Sequence, residues 1–182
     1  LKPGTMDALF ESFAPLRLCS FVEPVTAYRG ATVHLEAVLS NEDILRPGEY
    51  PLRVQLVGPD GVRVFDRTVA VTVPAPADGV EPPFAIPAFA GDVAVDGPAG
   101  RYRFLATLLQ GDAATGGEAE VYVYDAADMP TVEGVTARFG DDPALDAWLA
   151  AHGVATVPLA DAPADAKAIL VAGACPQDTA AW

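Results

Sequence analysis

His34 and His152 are the only histidines of this sequence, and Cys19 and Cys175 its only cysteines. Nucleophilic catalysis needs a base held beside a nucleophile. No GxSxG elbow and no Cys–His signature accompanies either histidine. Two histidines are also too few for a His-based zinc centre. His34 falls at an outward position of an alternating strand. His152 falls in the last turn of a helix, where a cation suits the dipole. The cysteines have no CxxC partner, so they read as small buried residues rather than a disulfide framework.

Carboxylates are plentiful, with 25 Asp and Glu in 182 residues. A glycosidase needs two of them facing each other across the bond to be cut. Most lie in turns or on the solvent sides of strands, and Glu36, the best placed on a strand, reads as an outward charge. Asn41-Glu42-Asp43 offers oxygens for Ca²⁺ but lacks the spaced acidic ladder and the glycine of an EF-hand. Gly140-Asp141-Asp142 is a strand-to-helix turn. It puts carboxylates where a phosphate would sit, and neither GxGxxG nor GxxxxGK is present. The expectation is therefore no catalytic residue, no metal and no cofactor.

Aromatic side chains leave one binding chemistry open, the stacking of sugars on exposed rings. Trp148 belongs to an apolar helix face and Trp182 is the last residue. Tyr28, Tyr122 and Tyr124 remain. Tyr122 and Tyr124 share one face of a strand, opposite Val121 and Val123. They are the candidate carbohydrate-binding residues, as an exposed platform. The other reading, taken as the default, is a face packed beneath a neighbouring domain.

The elements that carry these residues are mostly strands. Pro47-Gly48-Glu49-Tyr50 and Ala99-Gly100-Arg101-Tyr102 are two copies of one device: a glycine turn, one residue, a tyrosine, then period-two apolar residues. Tyr102 is a candidate tyrosine-corner residue. Val33, Leu35, Ala37 and Leu39 alternate with polar neighbours. Tyr50–Leu56 and Val62–Val73 flank the turn Gly58-Pro59-Asp60-Gly61 and form a hairpin. Pro74 to Pro87 holds five prolines and reads as a crossover, with a strand from Phe89 to Val95. Strands follow at Tyr102–Leu109 and, after a turn at Gly111 to Gly117, at Ala119–Asp125. About seven short strands predict an Ig-like antiparallel β-sandwich without the disulfide and core Trp of antibody domains. After Met129-Pro130 the pattern becomes α/β. A strand spans Val135–Phe139, and a helix is capped by Asp142 with Pro143 at its first position. Its face is Leu145, Trp148 and Leu149, and Gly153 closes it. Strands at Val154–Leu159 and Ile169–Gly173 continue a partial parallel unit. The expected organisation is a lead-in over residues 1–20, the sandwich over 21–128 and the start of a parallel α/β domain over 129–182.

The formal net charge is −14 with pI about 4.2. It is spread along the chain, and it argues against a nucleic-acid partner. No apolar run approaches the ~20 residues of a membrane span, and no signal peptide is visible. The sequence opens on Leu1, which suggests a piece of a longer chain. Nine Arg against two Lys hint at a bacterial source, and the compartment, cytoplasmic or secreted, stays open.

Two stretches carry a family resemblance. Phe21-Val22-Glu23-Pro24-Val25-Thr26-Ala27-Tyr28-Arg29-Gly30 and Leu35 through Tyr50 resemble the Ig-like sandwich region of family 2 glycoside hydrolases, the β-galactosidase and β-glucuronidase type. Gly111 to Glu118 before a strand fits as well. The segment after Met129-Pro130 is similar to an amidotransferase-like or flavodoxin-like accessory domain, and the lead-in around Ala8-Leu9 to the exit of a (β/α)₈ barrel. The resemblance implies a non-catalytic accessory region whose partner is a catalytic (β/α)₈ barrel of the same parent chain. No position matches the family's catalytic glutamates. The alternative is a free-standing module that binds carbohydrate or protein.

Overall fold

The computed structural model describes Leu9 and residues 13–109, 117–166 and 168–172. The chain divides into two compact units between Asp128 and Met129.

The first unit is an antiparallel β-sandwich. A three-stranded sheet has the order β1-β3-β6, with β1 at Leu16–Glu23, β3 at Thr32–Asn41 and β6 at Ala85–Ala94. A five-stranded sheet has the order β2-β8-β7-β4-β5. Here β2 is Thr26–Tyr28, β4 Gly48–Val57, β5 Arg63–Val73, β7 Gly100–Leu108 and β8 Gly117–Tyr124. The period-two residues build the core. Val33, Leu35, Ala37 and Leu39 of β3 are fully buried with Leu52, Val54 and Leu56 of β4. Tyr102, Phe104 and Ala106 of β7 and Val121 of β8 complete the layer. At about 25 cal/mol per Å² of apolar surface removed from water, this layer is the main source of stability.

The repeated Gly-x-Tyr device folds the same way twice. The Tyr50 hydroxyl donates to the Arg46 carbonyl at 2.9 Å, and the Tyr102 hydroxyl donates to the Pro98 carbonyl at 2.7 Å. Each bond reaches four residues back and pins the turn that enters the strand. Because β4 and β7 pair antiparallel, the two corners lie at opposite ends of the sheet. Tyr102 fits a slot with no room to spare: a Cβ on Gly58 would stand 2.5 Å from its ring, and one on Gly97 2.5 Å from its hydroxyl.

Three elements differ from the sequence expectation. Strand structure starts at Leu16 rather than Phe21, since Leu16, Leu18 and Val22 face inward against β3. Ser20 at an inward position and the apolar Phe21 at an outward one hid that period. The strand expected from Phe89 starts at Ala85 and contains Pro87. An edge strand tolerates this proline because the register with β3 slips there, between Ala37 and Val38. Finally, Thr26–Tyr28 forms a separate strand that pairs parallel with β8, so the chain changes sheet after β1.

The second unit holds a parallel sheet of order β10-β9-β11, with β9 at Thr136–Phe139, β10 at Thr156–Pro158 and β11 at Ala168–Val171. Helix α1 spans Pro143–Ala151. Asp142 caps it, its carboxylate accepting from the amides of Ala144 and Leu145 at 3.1 Å each. Gly153, at φ +71°, ends it, with Val154 N–H donating to Leu149 O and Gly153 N–H to Ala150 O. That pair of bonds is the Schellman arrangement. Leu149 is buried, but Trp148 is half exposed. The apolar face is therefore narrower than its i, i+3, i+4 spacing predicts. The Trp148 ring stacks on His152 at 4.1 Å instead.

Candidate functional site

The outer face of the five-stranded sheet carries a ladder of charged side chains and the candidate tyrosines. On β4 and β5, Arg53 grips Asp66 with two hydrogen bonds, at 2.9 and 2.7 Å, and Gln55 adds a third at 3.1 Å. The Arg53 hydrogen bond holds the Asp66 carboxyl below its ordinary range, and its charge adds to the effect. On β7 and β8, Arg101 lies 3.2 Å from Glu120 and Arg103 3.8 Å from Glu118. These are cross-strand pairs of the kind that set sheet register on an exposed face.

The candidate tyrosines flank this ladder. Tyr122 and Tyr124 are 43% and 55% exposed, and both project outward from β8. The β2–β8 pairing, invisible as alternation in so short a strand, places Tyr28 directly across from Tyr124, 47% exposed. Two residues along a strand cover about 7 Å, and adjacent strands lie about 4.8 Å apart. The three rings thus start from a compact triangle on one sheet face. The Tyr122 hydroxyl donates to Glu120 Oε2 at 2.9 Å. That bond, and next the carboxylate's charge, push the Tyr122 hydroxyl above its ordinary pKa. Beside the triangle, Arg29 and Asp125 pair at 2.9 Å.

The remaining sequence candidates fall into structural use. His34 pairs with Asp92 at 2.7 Å across β3 and β6, on the outer face of the other sheet. Glu36 lies on that same outward side of β3. The Asn41 side-chain Oδ1 accepts from the amides of Ile44 and Leu45, and its side-chain NH₂ donates to the Leu45 carbonyl. Glu42 pairs with Arg17 at 3.2 Å. Among the described residues no three His, Cys, Asp or Glu side chains come together as a metal site would require. Cys19 is a free thiol, partly buried. Cys175, Trp182 and the Gly111–Gly116 turn lie outside the described residues.

Two of the concavities among the described residues lie apart from the tyrosines. One, of about 470 Å³, lies in the first unit beside Asn41 and the proline-rich segment after β5. The other, of about 510 Å³, lies at the carboxyl ends of β9 and β10. Its one cation, Arg138, is engaged by Asp141 at 3.3 Å and Asp146 at 3.1 Å. The amides at the start of α1 are engaged by Asp142. Among the described residues, the Arg138 charge and the Ala144 and Leu145 amides are thus already engaged by carboxylates. No helix among the described residues is long and apolar enough to cross a membrane.

No family model matches the sequence, and no curated relative matches it. Solved structures do resemble the fold. A glycosyl hydrolase family 2 member from Bacteroides cellulosilyticus is 21% identical over 59% of this chain and 14% of its own, with TM-score 0.44. The β-glucuronidase of Parabacteroides merdae is 14% identical over 60% of this chain and 13% of its own, with TM-score 0.34. The CARDB domain of a Pyrococcus furiosus protein, solved with di-metal ions, is 14% identical over 62% of this chain and 91% of its own, with TM-score 0.37. The chain thus spans about one seventh of the length of the glycoside hydrolase it resembles.

Proposed function

We propose that this chain is a non-catalytic accessory region of a larger glycoside hydrolase of the family 2 type, with the sandwich bracing a catalytic barrel domain of the same parent. The observation that carries the reading is how the ionisable side chains are used. Arg53–Asp66, Arg101–Glu120, His34–Asp92, Arg17–Glu42 and the Asp142 cap are pairings of register, loop and helix end. They are solvent-facing and spread over both units, the opposite of the converging, partly desolvated groups that make a reactive site. In this role Tyr28, Tyr122 and Tyr124 form a packing surface for a neighbouring domain. Half-exposed tyrosines suit such a surface because each ring buries apolar area while its hydroxyl keeps a polar partner.

The exposure of the same triangle supports a second reading, a module that stacks a sugar on Tyr122 and Tyr124. Calorimetric titration of the purified 182-residue chain with a panel of neutral and acidic oligosaccharides separates the two. Silence across the panel is the expected result. Micromolar binding that disappears in Tyr122→Ala and Tyr124→Ala would establish the sugar-binding module instead.

A further inference from the structure

The cup beside Asn41 is preformed. Asn41 ties the loop that follows β3 through three side-chain hydrogen bonds to residues 44 and 45. Its own amide donates to the Phe84 carbonyl at 2.8 Å, joining that loop to the start of β6. Across the cup, Val80 N–H closes a turn onto the Ala77 carbonyl at 2.7 Å. Pro47, Pro74, Pro76 and Pro82 fix their own φ angles along its walls. A site built this way loses little chain entropy on binding. Its volume, about 470 Å³, is within the range of small-ligand and side-chain pockets.

The lining has a clear chemical character. Leu45 and Val73 form a buried apolar floor, while Val80 and Phe84 stand largely exposed at the mouth. Among the described residues, the only ionisable side chains that line it are Asp43 and Glu81. Neither makes an ion pair with a described residue. Arg46, the one cation of the same loop, does not line the cup. The protein carries a formal net charge of −14. An anion is repelled here, and a neutral ligand leaves both carboxylates uncompensated. An apolar stem ending in a positive charge satisfies floor and rim together.

We propose that this cup docks a basic-apolar segment of a protein partner, inserting an arginine or lysine whose stem lies on Val80 and Phe84 and whose charge meets Asp43 and Glu81. Arginine is the better fit, because a guanidinium can also lie over the Phe84 ring. The face concerned is independent of the tyrosine triangle and of the role assigned to it.

The test is an ¹⁵N NMR titration of the 182-residue chain with the peptide Ac-Val-Arg-Leu-NH₂ and with the same peptide carrying neutral citrulline. Saturable shifts are expected at Asp43, Val80, Glu81 and Phe84, with the arginine peptide about tenfold tighter. That preference should shrink with added salt. The double variant Asp43→Asn with Glu81→Gln should lose the preference while keeping its other resonances in place. Asn suits position 43 because it tolerates the left-handed backbone found there, φ +58°. Equal affinity for the two peptides, shifts centred elsewhere, no saturation at millimolar peptide, or tighter occupancy by a neutral oligosaccharide would each overturn the proposal.

Discussion

Tyr102 places its hydroxyl on the Pro98 carbonyl and its ring between Gly58 and Gly97, so two turns and a strand meet on one side chain. Burial, the largest influence, pushes its hydroxyl above the ordinary tyrosine pKa; Arg29 opposes this and Asp96 adds to it. The folded state therefore holds this proton more tightly than the unfolded chain does. Its contribution is fully present below the unfolded value, about 10. It is lost as pH rises through the higher folded value. Tyr102→Phe removes one hydrogen bond and is expected to lower stability at neutral pH by about 1 kcal/mol. It should also make the fall in stability above pH 10 shallower. Urea unfolding at pH 7 and at several points above pH 10 reads both effects, and an unchanged alkaline slope in the variant would contradict this role. The tyrosine corner was legible in the sequence because glycine, spacer and tyrosine are local. The glycine slot around the ring was not, since Gly58 is brought there by the fold from more than forty positions away.

Elements bounded by strong local signals were readable, and elements bounded by pairing were not. Asp142, Pro143 and Gly153 announce the start and stop of α1, and the structure uses all three as the sequence suggests. The alternation of β3 and the β4–β5 hairpin were equally plain. The early start of β1 was masked by Ser20 and Phe21, which break its alternation, and the proline inside β6 and the parallel β2–β8 pair depend on partners distant in sequence, so no local pattern marks them. The same division governs the tyrosines: Tyr122 and Tyr124 share a face by period two, whereas Tyr28 joins them only through strand pairing. Asp142→Ala removes two cap bonds from α1 and is expected to cost the second unit about 1 kcal/mol. Hydrogen exchange should then quicken in residues 144–151 and leave the amides of β3 and β4 unchanged. Equal acceleration in both units would show that they unfold as one.

At the scale of the molecule, the apolar residues fill the space between two β-sheets in the first unit and support a small parallel sheet in the second. Charge is left on the outside, part of it in cross-strand and loop pairs. Composition alone sets the net charge of −14. It could not foretell the cup beside Asn41, which forms only where the loop after β3 folds against the proline-rich segment. The proposed accessory role rests on how the paired carboxylates are used: in strand registers, a helix cap and loop ends. The most direct measurement is hydrolysis of a panel of nitrophenyl glycosides by the purified 182-residue chain. An accessory region releases nitrophenol no faster than buffer with every sugar. Turnover that follows the folded protein and is abolished by replacing one of its carboxylates would show an active site that an accessory region does not have.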